Sequence, residues 1–370
     1  MGIIKTIETE GKRLLVEVLT SVVHTPSATR DEILATPPKR ILVIRQHNQM
    51  GDMLLAVPAL RAIKESIPGV EVTILTGEIN HDVMLNNPYV DRVLTYNPRN
   101  PLSWSAMIGE MRRLRCDIVI VLHTVSFSFS SAMLGLISGS RWRVGSTSVQ
   151  FGNKMSEAFY HFALPLPSQH ELDHMNEAEH NLYPLTALGI RTDDISPLLV
   201  PTESEKKWAG EFVEGNAEPG TARLAVHPGA GKAENIWPPE RFAEVVNLLA
   251  DRIRLSLIVI EGPRDAEPVE RFCRLAGPQH TVLRGRSIGN VAAAMQACDL
   301  VLCNDTGIMH VAGAAGARTL AVFGPTDPSR WAPRCQSLHI VRSEDGSLAG
   351  LRPTEVFERA LSILEGKSRV

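Results

Sequence analysis

The residue types that can do chemistry gather in three short stretches of a 370-residue chain. The first is QMGDMLLAVPALRAIKESIPG, running from Gln49 to Gly69, where Asp52 stands just past the apolar run ILVIR. A carboxylate at a strand-to-helix junction has two readings. It is an N-cap, accepting an N–H of the next turn, or it is a general base at a crevice edge. Pro58 bears on the first reading. In a helix begun at Asp52 the proline forfeits the bond to the Leu54 carbonyl, so the helix kinks or starts late, near Val57. A helix start also favours the ionised carboxylate, which keeps a base deprotonated but weakens it. These residues by themselves leave both readings open.

The second stretch is HPGAGKAENIWPPERF, residues 227–242. Gly229 and Gly231 allow close approach of a ligand to the backbone, and Lys232 supplies a mobile positive charge. It is not a Walker A loop: Val226 occupies the place of the leading glycine and Ala233 that of the Ser/Thr. Glu234 likewise removes the third glycine of a dinucleotide fingerprint. The third stretch, CNDTGIMHVAGAAGARTLAVFGPTDPSRW, covers residues 303–331. Asp305, Thr306 and Gly307 precede or open a helix that carries His310. Free N–H groups and the dipole at that start make an anion site. Asp305 suits a sugar, accepting from two hydroxyls, better than a phosphate; it is equally a helix cap, as His310 is equally a core histidine.

The elements that must position these residues are β-rich runs alternating with helices. Strands are expected at 41–45, 71–75, 91–95 and 117–122, with helices near 53–67, 81–87, 101–115 and 174–188, the last capped by Gly189. After the polar connection IRTDDISPLLVPTESE the alternation restarts, with strands at 223–227, 255–260, 281–284, 299–303 and 319–323. Continuous apolar strands alternating with helices predict parallel βαβ units. Two such halves predict two Rossmann-like domains facing across a cleft, with ligands beyond the carboxyl ends of the strands.

Composition is ordinary globular: 44% hydrophobic and 21% charged. A net charge of −3 gives no electrostatic case for a nucleic-acid partner. Five cysteines without a CxxC pair signal neither a disulfide framework nor a zinc site, and a reducing cytoplasm fits. The start, MGIIKTIETEGKRLLVEVLTSVV, reads as neither leader nor membrane span, which needs roughly 18 apolar residues. It reads as an amphipathic helix, followed by the linker TPSATRDEILATPPKR. Lys5, Lys12 and Arg13 are matched by Glu8, Glu10 and Glu17, so docking on the body or a partner competes with a membrane surface.

Taken together, the first stretch with its preceding strand, the run LAVHPGAGKAENIWPPERFAEVV, and CDLVLCNDTGIMHVAGAAGARTLAVFGPTDPSRWAP resemble glycosyltransferase family 9, the heptosyltransferase group, over roughly residues 40 to 365. The resemblance implies an α/β chain of GT-B fold with an N-terminal amphipathic extension (1–39), an acceptor domain (40–195), a nucleotide-sugar domain (196–352) and a C-terminal helix (353–370). It implies inverting, metal-independent transfer of a sugar, with ADP-heptose the expected donor, to a lipopolysaccharide-core or related glycan acceptor, and no cofactor. Asp52 matches the base. Asp305 matches the donor-sugar contact. Thr306, Gly307 and His310 match the diphosphate-binding helix start, and Gly229, Ala230 and Gly231 lie in the phosphate loop. Arg286 falls at the nucleobase pocket, with Asp265 or Glu267 at the ribose. A lipid-linked acceptor would bring the enzyme to the inner face of the cytoplasmic membrane. One departure stands out: where a lysine commonly neutralises the leaving diphosphate, this chain has Asn235, with Lys232 three residues earlier. That opens a non-catalytic nucleotide-sugar or glycan-binding protein as the alternative, beside an epimerase of the same fold.

Overall fold

A computed structural model describes residues 23, 25–46, 49–122, 128–147, 158–164 and 167–366. The amphipathic helix expected in the first 22 residues lies outside them. The described chain holds two six-stranded sheets whose strands pair in parallel throughout. The first contains β1 (Arg40–Arg45), β2 (Glu71–Gly77), β3 (Arg92–Tyr96), β4 (Ile118–Val121), β5 (Trp142–Ser146) and β6 (Phe162–Leu164). The second contains β7 (Ala222–His227), β8 (Leu255–Ile260), β9 (His280–Leu283), β10 (Leu300–Asn304), β11 (Thr319–Phe323) and β12 (Leu338–Arg342). Their orders are β3-β2-β1-β4-β5-β6 and β12-β11-β10-β7-β8-β9. Each is the doubly wound order, whose direction reverses between β1 and β4 in one sheet and between β7 and β10 in the other.

The central strands form because their residues are apolar on both faces. Ile41 to Ile44 and Leu300 to Cys303 are wholly buried, as expected for strands covered by helices on two sides. In the first sheet Leu42, Ile44, Val119 and Val121 pack with Met107, Met111, Phe159 and Tyr160. In the second, Leu224, Val226, Leu257 and Val259 meet Trp237, Phe242, Val246 and Leu249, with Val356, Ala360 and Leu364 from the C-terminal helix Pro353–Gly366.

The compact units do not follow linear order. One takes the described residues of 1–48, 58–81 and 88–194; the other takes Gln49–Val57, Asp82–Asn87 and the chain from Ile195 onward. The segment bearing Asp52 therefore belongs to the unit built on the second sheet.

Three strands and several helices escape the sequence expectation, among the helices Gln169–His174, Glu203–Gly215 and Pro328–Trp331. β6 is three residues of intermediate burial, and β5, WRVGS, lacks a continuous apolar run. β12, LHIVR, is a half-exposed edge strand with an alternating pattern. The helix Phe129–Ile137 was not expected between β4 and β5. The linker, expected without structure, contains the short helix Arg30–Leu34, closed by a capping box between Thr29 and Glu32. Gly189 does end its helix, at φ 76°, with Ile190 N–H returning to the Leu185 carbonyl.

Candidate functional site

Beyond β1 the chain makes two helices rather than one. The first, Met50–Leu54, has Gln49 as its N-cap residue without a side-chain capping bond. Asp52 is thus inside the first turn and is not the N-cap. The second begins at Val57, which puts Pro58 in its first turn, where a missing N–H costs nothing. The late start near Val57 is the outcome the proline called for.

The short helix docks through Gly51. A Cβ at that position would lie 2.6 Å from His310 Cδ2 and 2.9 Å from its Nε2. His310 belongs to the helix Gly307–Ala314, and Met50 Cε lies 3.4 Å from the point a Gly307 Cβ would occupy. The Gly51–Asp52 peptide is therefore held on the helix that follows β10. His310 is buried, and its Nδ1 has no hydrogen-bond partner. Burial pushes its pKa down to about 4, so the ring is neutral near pH 7. In this arrangement it packs against Gly51, and it brings no positive charge to a phosphate.

The start of that helix is open. Thr306 is its N-cap residue, yet the hydroxyl makes no capping bond. Asp305 does not cap the helix either: its carboxylate accepts from Asn235 Nδ2 at 3.0 Å and from the Thr326 hydroxyl. Neither side chain therefore takes up the first N–H groups of the helix, the groups that make a helix start a candidate anion site. Burial raises the pKa of Asp305, against the Thr326 bond and the positive charge of Lys232.

The loop after β7 is fastened to β10 by the neighbouring side chain. Asn304 Nδ2 donates to the carbonyls of Pro228 at 3.0 Å and Gly229 at 3.1 Å, and its Oδ1 accepts from the Trp237 N–H at 3.0 Å. These bonds cross the β7/β10 switch point. Within the loop, Gly229 faces another protein group: a Cβ there would fall 2.4 Å from Asp265 Oδ1. Gly231 meets only Arg264 Nη2, at 4.0 Å, so its surroundings are open. Ala230 is half-buried between them, and Lys232 is exposed.

The two carboxylates expected near a ribose differ. Asp265 Oδ2 accepts from the Gly262 N–H at 3.1 Å and lies 3.8 Å from His227 Nε2. Glu267 is exposed and pairs with Arg271 at 3.0 Å. Arg286, on the loop after β9, stacks its guanidinium 4.9 Å over the Trp208 ring. Reasoning from the sequence missed Asn304, Thr326 and Arg264. The FGPTDP turn gave a signal for Thr326, a hydroxyl at a strand end beside Asp305; Asn304 looked like an ordinary strand-terminal residue. Among the described residues no group of three or more His, Cys, Asp or Glu is placed to hold a metal ion, and no described helix is long and apolar enough to cross a membrane.

Two six-stranded parallel sheets of this order match the GT-B class of glycosyltransferase fold. The chain is similar to the family 9 glycosyltransferase structure from Veillonella parvula, with a TM-score of 0.77 at 22% identity over 89% of this chain and 97% of that one. It is also similar to the E. coli ADP-heptose LPS heptosyltransferase II structure, with a TM-score of 0.74 at 20% identity, covering 89% and 99%. The curated lipopolysaccharide core heptosyltransferase OpsX of Haemophilus influenzae is 24% identical over 80% of this chain and 82% of its own length. The model of glycosyltransferase family 9 (heptosyltransferase) matches residues 104–360, and the chain belongs to that family.

Proposed function

We propose that the chain transfers a heptose from ADP-heptose, with inversion and without a metal, to a lipopolysaccharide-core acceptor. Family membership and the names of the relatives support the donor and acceptor classes. The observation that carries the mechanism is the docking of Gly51 on His310. It sets Asp52 on a helix packed against the one whose N-terminus suits a diphosphate.

In this reading Asp52 takes the proton of the acceptor hydroxyl as that oxygen attacks the anomeric carbon. The bond from that carbon to the diphosphate breaks, and ADP leaves with the electron pair. Thr306 and Gly307 at the helix start and the Gly229–Lys232 loop with Ala230 and Gly231 receive the growing charge. Asp305 holds the sugar, Arg286 with Trp208 borders the base, and Asp265 serves the ribose edge. Residues 40–195, apart from Gln49–Val57 and Asp82–Asn87, carry the acceptor, and residues 196–352 the donor.

The test is Asp52→Asn. A lost general base costs ~10²–10⁴ in rate, so transfer should collapse while ADP affinity stays within a few-fold of wild type. Undiminished turnover in this variant would take the base role from Asp52. A product anomer that retains the donor's configuration would dismiss the single-displacement mechanism.

A further inference from the structure

Asp305 is fastened through one oxygen only. Its Oδ2 accepts from Asn235 Nδ2 at 3.0 Å and from the Thr326 hydroxyl, and the same Asn235 amide donates to the Asp305 carbonyl at 3.3 Å. Among the described residues no hydrogen bond reaches Oδ1, and that atom is not among the buried polar atoms sealed from solvent without a partner. The two donors come from different strand ends: Asn235 follows β7 and Thr326 follows β11, while Asp305 itself follows β10. Three loops thus meet at a single carboxylate oxygen.

Asn235 gives something up for this contact. Its own Oδ1 is buried with no partner. Turning the amide over would set an oxygen against the carboxylate, where both groups only accept. The carboxylate therefore dictates which way the amide faces, and the fold tolerates an orphaned acceptor to keep the arrangement.

We propose that Asn235 and Thr326 are positioning residues for Asp305, locking Oδ2 so that Oδ1 alone meets the hydroxyl groups of the donor sugar. The proposal rests on the reading of Asp305 as the donor-sugar ligand. It gives the asparagine a task distinct from phosphate binding: a neutral amide orders the carboxylate without neutralising it, and the loop keeps the exposed Lys232 as its own cation. The other groups that act on this carboxylate are few. Lys232 opposes its burial electrostatically, as the Thr326 bond does, and Cys303 on β10 lies within its field.

The test compares Thr326→Val, Thr326→Ser and Asn235→Leu in the full chain, with folding checked by circular dichroism. Loss of a hydrogen bond to a charged group is expected to raise the donor KM ~10-fold. ADP affinity should stay within a few-fold, because the nucleotide alone lacks the sugar. The Asp305 carboxyl ¹³C resonance, assigned by its absence in Asp305→Asn, should titrate at higher pH in Thr326→Val, since a donor to the ionised form is gone. The acid limb of kcat/KM should move the same way. Thr326→Ser should restore both. An unmoved carboxyl titration in Thr326→Val, or no recovery in Thr326→Ser, overturns the proposal. Asn235→Leu supplies the same two readouts should Thr326→Val unfold. If the wild type transfers no sugar from ADP-heptose, the reading of the substrate fails, and the carboxyl titration still decides the positioning role.

Discussion

At the scale of the residue, histidine 310 shows how a single side chain changes meaning on folding. The family resemblance puts it at a diphosphate-binding helix start, while the structure buries the ring against Gly51 and holds it neutral, with a pKa of about 4. This has a consequence for stability. The unfolded chain, with an ordinary histidine near 6.5, binds the proton first. The contribution is therefore complete above that pH and is lost as the pH falls toward 4, by ~3 kcal/mol in all. Burial lowers His227 in the same direction. Urea midpoints should fall between pH 7 and 4.5, and His310→Gln should flatten that slope. An equal slope in the variant would show that the ring does not carry the effect. Gly229 makes a related point: it reads as room for a ligand, but Asp265 occupies the space.

At the scale of the element, the five-residue helix Met50–Leu54 is too short to be stable alone. Contact with the Gly307–Ala314 helix supports it, and Gly51 is the residue that permits the approach. Alanine in a helix is ordinarily better than glycine by up to ~1 kcal/mol. Here the added methyl would overlap a buried ring, and overpacking costs ~1–3 kcal/mol. Gly51→Ala should therefore destabilise the protein and reduce transfer, and His310→Ala in the same chain should relieve part of the loss. A fully additive double-mutant cycle would contradict direct packing between the two positions. The sequence made the break at Val57 legible through Pro58. It did not reveal that the turn before it belongs to the second sheet's unit, because no local pattern encodes a contact between residues 51 and 310.

At the scale of the whole molecule, the two sheets share one strand order, and each has its own switch point. The candidate donor residues collect at the second, along β7, β8, β9, β10 and β11 strand ends that are far apart in sequence. A ligand held there stabilises the folded state by mass action, by ~2.7 kcal/mol when present at 100 times its Kd. ADP should raise the melting temperature of the wild type, and Asp52→Asn should keep that rise. A screen in which UDP or GDP stabilises the chain and ADP does not would reassign the nucleotide. Because Gln49–Val57 and Asp82–Asn87 are threaded into the second unit from within the first, the units are expected to melt in a coupled transition.

Some of this was fixed by short-range chemistry that any reader of the chain can follow. Apolar runs such as Ile41–Ile44 and Leu257–Ile260 declare buried strands, Gly189 declares a helix end, and the alternation declares parallel α/β halves. The three motif stretches carry the resemblance to glycosyltransferase family 9, and the family model bears it out. The tertiary structure alone decided which oxygen of Asp305 is occupied, that Asn235 and Thr326 occupy it, that Asn304 ties down the loop after β7, and that the helix of Asp52 packs on the helix of His310. The reason is physical. Periodicity and propensity act over a few residues, whereas a hydrogen bond or a close contact depends on which distant strand ends the sheet order makes neighbours.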